Sequence, residues 1–258
     1  MIFPIGDEQV KGGYFPIVSY TFIALNIIAF LFQLSFPYAL VCEFGCIPNQ
    51  IASGQDYITL FTSMFMHGDW MHLIGNMLFL WVFADNIEAT VGSIPFLAFY
   101  ILGGLAASFA HIYLSYDASA ALAECCNVCG NGGIRCVDGV PICSGSVPSV
   151  GASGAISAAL GAYLVMFPKS KVKIFVVYIF RSFHIPAIFC ISVWFIMQII
   201  PGLSSLGAEA GASGGVAWWA HIGGFVFGIV AGFFARDKGK TAVTSPVKER
   251  PLDEDDMV

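Results

Sequence analysis

Along this chain polar positions are sparse and apolar ones arrive in long blocks. Six blocks, near 17–41, 71–88, 94–115, 151–168, 185–203 and 216–235, each predict a helix that crosses a bilayer, because about 20 mainly apolar residues span roughly 30 Å of hydrocarbon. The fifth is short if it starts at Ile185. The preceding IFVVYIF (174–180) is expected in the membrane interface, with Lys173 and Arg181 reaching to water. Composition agrees, since 57% hydrophobic residues, 11% charged residues and a mean hydropathy of +0.79 exceed what the core of a soluble domain of 258 residues needs.

Charge sets the expected orientation, because basic residues beside a span resist translocation. In a six-span arrangement Lys11, Lys169, Lys171, Lys173, Arg181, Arg236, Lys238, Lys240, Lys248 and Arg250 share one side, and Arg135 alone takes the other. Both termini are therefore expected in the cytoplasm, with the loops around 42–70, 116–150 and 203–215 outside. The amino-terminal MIFPIGDEQVKGG carries two acids and a lysine and lacks a small-residue cleavage site, so it does not read as a cleavable signal peptide. Residues 237–258 are polar and contain proline, and read as a disordered cytoplasmic tail after a domain covering 1–236.

In spans this apolar, ionisable and polar side chains need a reason to be there. His72 with Asn76, Ser153, and His221 each fall in the first turn or two of spans 2, 4 and 6, which run from outside to inside in this orientation. They share one depth. His72 and Asn76 are four residues apart and face the same way on a helix. Gly154, Ala158 and Ala162 in span 4, and Ala220, Gly224, Gly228 and Gly232 in span 6, form small-residue stripes that let helices approach closely. That approach would bring His221 to Ser153, the minimum for an activated nucleophile. Asp85 and Glu88 lie at the far end of span 2, which predicts a Ser-His dyad and not a triad. The tetrapeptide GASG also surrounds Ser213, but there it sits in a Gly/Ala/Ser-rich loop and reads as linker.

The stretches FMHGDWMHLIGNM, VGASGAIS and AWWAHIGGFVFG, in this order and spacing, resemble the rhomboid intramembrane serine proteases from about Tyr14 to Arg236. The resemblance implies an all-α, six-helix membrane bundle acting as an endopeptidase on transmembrane helices, usually single-pass, without a metal or organic cofactor. It makes Ser153 the nucleophile and His221 the general base and acid. His72, Asn76 and the Ser153 backbone N–H become the oxyanion stabilisers, Gly151 and Gly154 shape the turn at the serine, and Gly224 and Gly228 pack span 6 on span 4. The absence of an extra terminal helix resembles the bacterial form and implies a bacterial plasma membrane, with an organelle membrane as the alternative. The alternative is an inactive rhomboid-like protein that binds transmembrane helices without cutting them.

The chain departs from the family pattern at a cysteine-rich insertion, about 118–147, holding Cys125, Cys126, Cys129, Cys136 and Cys143. With Cys42 and Cys46 this makes seven cysteines on the expected outer side, suited to disulfides in an oxidising compartment. The rivals are a structural zinc at Cys126, Cys129, Cys136 and Cys143, and free or mixed thiols. A small cross-linked cap near the site entrance is the expectation. Cys190 stands alone in span 5, and His67, His111 and His184 read as structural or interface residues.

Overall fold

The computed structural model describes residues 2–10, 12–115, 144–205 and 216–244. Among them the first expected span is broken: α1 (Ile17–Gln33) is followed by a separate α2 (Pro37–Phe44). Pro37 stands in the first turn of α2, where its missing N–H is harmless, and it cannot extend the helix before it. Two short helices, α3 (Pro48–Ala52) and α4 (Thr59–Thr62), lead to α5 (Trp70–Val91). The Asp69 carboxylate caps α5 by accepting the His72 N–H at 2.8 Å. Only Gly92, at φ +90°, separates α5 from α6 (Ser93–Ser115). A helix-to-helix turn this tight uses a left-handed residue that glycine adopts freely.

The remaining helices are α7 (Ser153–Met166), α8 (Ala187–Ser205) and α9 (Trp218–Thr244), the last continuing past Arg236. α7 is the centre of the bundle, with every residue from Gly154 to Tyr163 buried. α5, α6, α8 and α9 pack around it. Among the described residues three stretches, Ser93–Leu114, Ala187–Ser205 and Trp218–Arg236, are long and apolar enough to cross a membrane, and α1 and α7 are shorter apolar helices. Large apolar side chains such as Ile28, Phe32, Leu102, Phe109, Phe189 and Phe234 stay exposed on the outer faces, as suits a multi-pass protein surrounded by lipid.

The bundle is not purely helical. Ile2–Asp7 (β1), Lys171–Val176 (β2) and Arg181–Pro186 (β3) form an antiparallel sheet in the order β1-β2-β3. This corrects the all-α expectation, and the stretch 174–180 divides into β2, a turn and the approach to β3. β1 carries Pro4 and Gly6 with a register shift between them, so its sequence does not read as a strand, and its partner lies most of the chain away.

At the end of the bundle away from Ser153, buried acids tie the elements together. α1 has no side-chain cap of its own; instead the Glu88 carboxylate of α5 accepts the backbone N–H groups of Val18 and Ser19 at 2.9 and 2.8 Å and the Ser19 and Ser93 hydroxyls at 2.7 Å each. A negative group there satisfies orphan donors and the positive end of the α1 dipole together. Asn86 donates to Asp7 at 2.6 Å and to the Glu8 carbonyl at 2.9 Å, and accepts from Val10 N–H at 2.8 Å. The Tyr163 hydroxyl donates to Asp7 as well. The amino-terminal strand is thus fastened to both α5 and α7.

Burial pushes the Asp7 carboxyl from 3.8 up to about 7, with Asp85 adding to the rise and bonds from Tyr163, Asn86 and Gln9 opposing it. A folded-state value above the unfolded one stabilises the fold fully below about pH 4, and this contribution is lost as pH rises through about 7. The thermal unfolding midpoint in detergent is therefore expected to fall between pH 5 and pH 8, and to fall less in Asp7→Asn. An equal fall in both proteins would contradict this assignment.

Candidate active site

The segment leading to α7 is held by backbone pairing. Cys46 and Ser149 exchange N–H···O bonds of 3.0 and 2.8 Å, and the Gly151 N–H donates to the Ser63 carbonyl at 2.8 Å. Gly151 has φ +122°, and a Cβ there would lie 2.7 Å from His72 Nε2 and 3.5 Å from Asn76 Nδ2. The backbone and both side chains converge on one small space. Ser153 follows as the first residue of α7, where the first-turn N–H groups lack helical partners and the dipole is positive.

Ser153 Oγ lies 2.8 Å from His221 Nε2. What permits this is the contact between α7 and α9. A Cβ on Gly224 would fall on the Gly154 carbonyl oxygen, one on Gly228 on the Ala158 carbonyl, and one on Gly154 would lie 2.6 Å from Ala107 Cβ of α6. The four-residue stripes thus meet in register, and His221, three residues before Gly224, stands over Ser153. The Trp194 and Trp218 rings flank the imidazole at centroid distances of 6.0 and 6.2 Å.

Around Gly151 the donors are poised. His72 Nδ1 accepts the Gly68 N–H at 3.3 Å, so in the neutral ring the proton sits on Nε2, the atom nearest Gly151. Asn76 is 7% exposed, and its Nδ2 donor has no partner among the described residues. A buried amide N–H left unpaired costs stability and has its use where an acceptor arrives. His67 packs edge-on against His72 with ring centroids 5.1 Å apart. Its backbone is held by Gln33, whose amide donates to the His67 carbonyl and accepts its N–H. Burial and the neighbouring His72 push its imidazole down to about 4.

Sequence reasoning in search of an acid passes over Gln198 of α8, whose Oε1 lies 2.8 Å from His221 Nδ1. An amide inside the apolar run ISVWFIMQII was the available signal. Ser213 and the insertion cysteines Cys125, Cys126, Cys129, Cys136 and Cys143 lie outside the described residues, as do most residues of the insertion at 118–147. Cys46 and Cys190 carry free thiols. Because its thiol is free, Cys46 does not join the outer disulfides expected of it; burial pushes that thiol up to about 11. Among the described residues no group of three His, Cys, Asp or Glu could hold a metal ion.

Residues 54–238 match the family model described as Rhomboid domain. Over 220 residues the chain is 25% identical to "Rhomboid protein 1, mitochondrial" of Saccharomyces cerevisiae, an alignment covering 83% of this chain and 52% of that protein. Over 123 residues it is 28% identical to "Presenilin-associated rhomboid-like protein A, mitochondrial" of Danio rerio, covering 48% of this chain and 26% of the relative. The chain thus spans about half the length of the first and a quarter of the second. Both relatives are named as mitochondrial, so the expected bacterial plasma membrane finds no support in them.

The α7–α9 contact leads to a stability prediction. Gly228→Ala forces a methyl onto the Ala158 backbone, which cannot swing aside, and is expected to cost about 1–3 kcal/mol. Gly75→Ala meets nothing within 4 Å and should leave the fold unchanged or slightly firmer. Thermal unfolding of the two variants in detergent checks the contrast.

Proposed function

The chain belongs to the rhomboid family, and from that premise we propose that it is an intramembrane serine endopeptidase that cuts transmembrane helices through a Ser-His dyad and an acyl-enzyme. The observation that carries this reading is the 2.8 Å approach of Ser153 Oγ to His221 Nε2 at the start of a buried helix. His221 takes the hydroxyl proton as Ser153 attacks the peptide carbonyl, and returns it to the leaving amine. Negative charge developing on the carbonyl oxygen is met by Asn76 Nδ2, His72 Nε2–H and the N–H groups at the amino end of α7. Gly151 leaves the space that this oxygen needs.

Six spans with both termini on the inner side belong to the same proposal. The 14 residues of α7 measure about 21 Å against roughly 30 Å of hydrocarbon. If α7 ends at the inner boundary, Ser153 sits about 9 Å beneath the outer one. Substrates are then membrane proteins, single-pass ones foremost, whose helix must open locally before its peptide bond can be reached. The cavity beside Ser153 is lined by Ser63, Gly104, Ala107, Gly154 and Ala217 among others, and such a lining suits a small side chain next to the cut bond. A cross-linked cap formed by the outer loops is also proposed. Its support is Cys42, the one cysteine among the described residues without a free thiol.

Cleavage of a tagged single-span substrate by protein in liposomes tests this reading. Ser153→Ala and His221→Ala are each expected to abolish cleavage. Asn76→Ala should lower it by about 10²–10³, the loss typical of one oxyanion donor, or less where His72 compensates. Undiminished cleavage by Ser153→Ala contradicts the mechanism, and a wild type that binds the substrate without cutting it points to the inactive, helix-binding alternative.

A further inference from the structure

We propose that Gln198 is a positioning residue of this site: its side-chain carbonyl holds the His221 imidazole in the tautomer and orientation that let Nε2 take the proton of Ser153. This rests on the serine-protease reading above and adds a third member to the expected dyad.

The tautomer follows from which partners can only accept. Gln198 Nε2 lies 3.2 Å from the Trp194 backbone carbonyl, one helical turn earlier on α8. A carbonyl oxygen offers no proton, so the amide must present its NH₂ group there. Its Oε1 is then the atom 2.8 Å from His221 Nδ1. Oε1 in turn only accepts, so Nδ1 carries the hydrogen. A neutral imidazole has one N–H, which leaves the lone pair on Nε2, facing the Ser153 hydroxyl at 2.8 Å. Turning the amide over would set a carbonyl against the Trp194 carbonyl and lose that bond, and it would offer Nδ1 a donor in place of an acceptor. One backbone oxygen thus propagates, through two side chains, to the protonation state a general base requires.

Gln198 is 6% exposed, and Trp194 and Trp218 border the same imidazole, so the amide is held in a packed wall and not on a free surface. An amide is also the polar group a bilayer tolerates. A carboxylate in its place would bind the imidazolium more strongly, but a charged group is costly at that depth. His72 of α5 and His111 of α6 are the other titratable side chains acting on His221, and neither is altered in the test below.

The test is kcat and KM for a tagged single-span substrate in liposomes between pH 5.5 and 9, for wild type, Gln198→Leu, Gln198→Glu and Ser153→Ala. Gln198→Leu is expected to lose about 10- to 100-fold in kcat with little change in KM, the effect of leaving the Nδ1–H without its partner. Gln198→Glu should stay active and move the acidic limb of its pH profile to higher pH, because a carboxylate beside Nδ1 favours the protonated ring. A merely structural glutamine would not move that limb. A folded Gln198→Leu with wild-type kcat, or a Gln198→Glu profile superimposed on wild type, overturns the positioning role. If Gln198→Leu does not fold, the Gln198→Glu profile decides alone. Cleavage that persists in Ser153→Ala marks failure of the protease reading itself, and this inference falls with it; a dead Ser153→Ala beside unaffected Gln198 variants marks failure of the positioning role only.

Discussion

Everything at the site depends on how closely two helices can approach. α7 and α9 meet backbone to backbone because Gly224, Gly228 and Gly232 face Gly154, Ala158 and Ala162, and because Gly161 faces the Phe225 carbonyl in return. Lipid tails are as apolar as leucine, so helices in a bilayer gain little from hiding apolar side chains and much from close van der Waals fit. The same fit fixes a register. His221 is set one turn ahead of Gly224, and that places its ring within a hydrogen bond of Ser153. A side chain at any one stripe position would move both helices, and the imidazole with them.

The two ends of the bundle use polarity differently. At the far end, Glu88 and Asp7 are saturated with donors from α1, α5, α6 and α7, and they hold the strand and the first helix in place. At the Ser153 end, Asn76 keeps a donor without an acceptor among the described residues, His72 turns an N–H toward the same space, and Gly151 leaves room for it. The first arrangement contributes stability; the second gives some up. α7 runs between them as a buried apolar rod.

The sequence made the site residues more legible than the elements around them. Ser153, His221, His72 and Asn76 stood out because polar groups inside apolar spans are few, and counting residues along helices of known rise predicted a common depth for them. The stripes showed which helices approach. The sheet was hidden because β1 contains Pro4 and Gly6 and pairs with a strand far along the chain, and periodicity reports on neighbours in sequence only. The break after Gln33 was signalled by Pro37, which the length of the apolar block outweighed. Gln198 was missed because a neutral amide looks like tolerated polarity until its partner on another helix is seen.

The most direct measurement of the central claim is reaction of the liposome-embedded protein with a fluorophosphonate, followed by mass mapping of the modified serine. An activated Ser153 gives a single adduct at that residue, and the adduct disappears in His221→Ala. No adduct, or one at Ser213 or elsewhere with Ser153 untouched, would contradict the account.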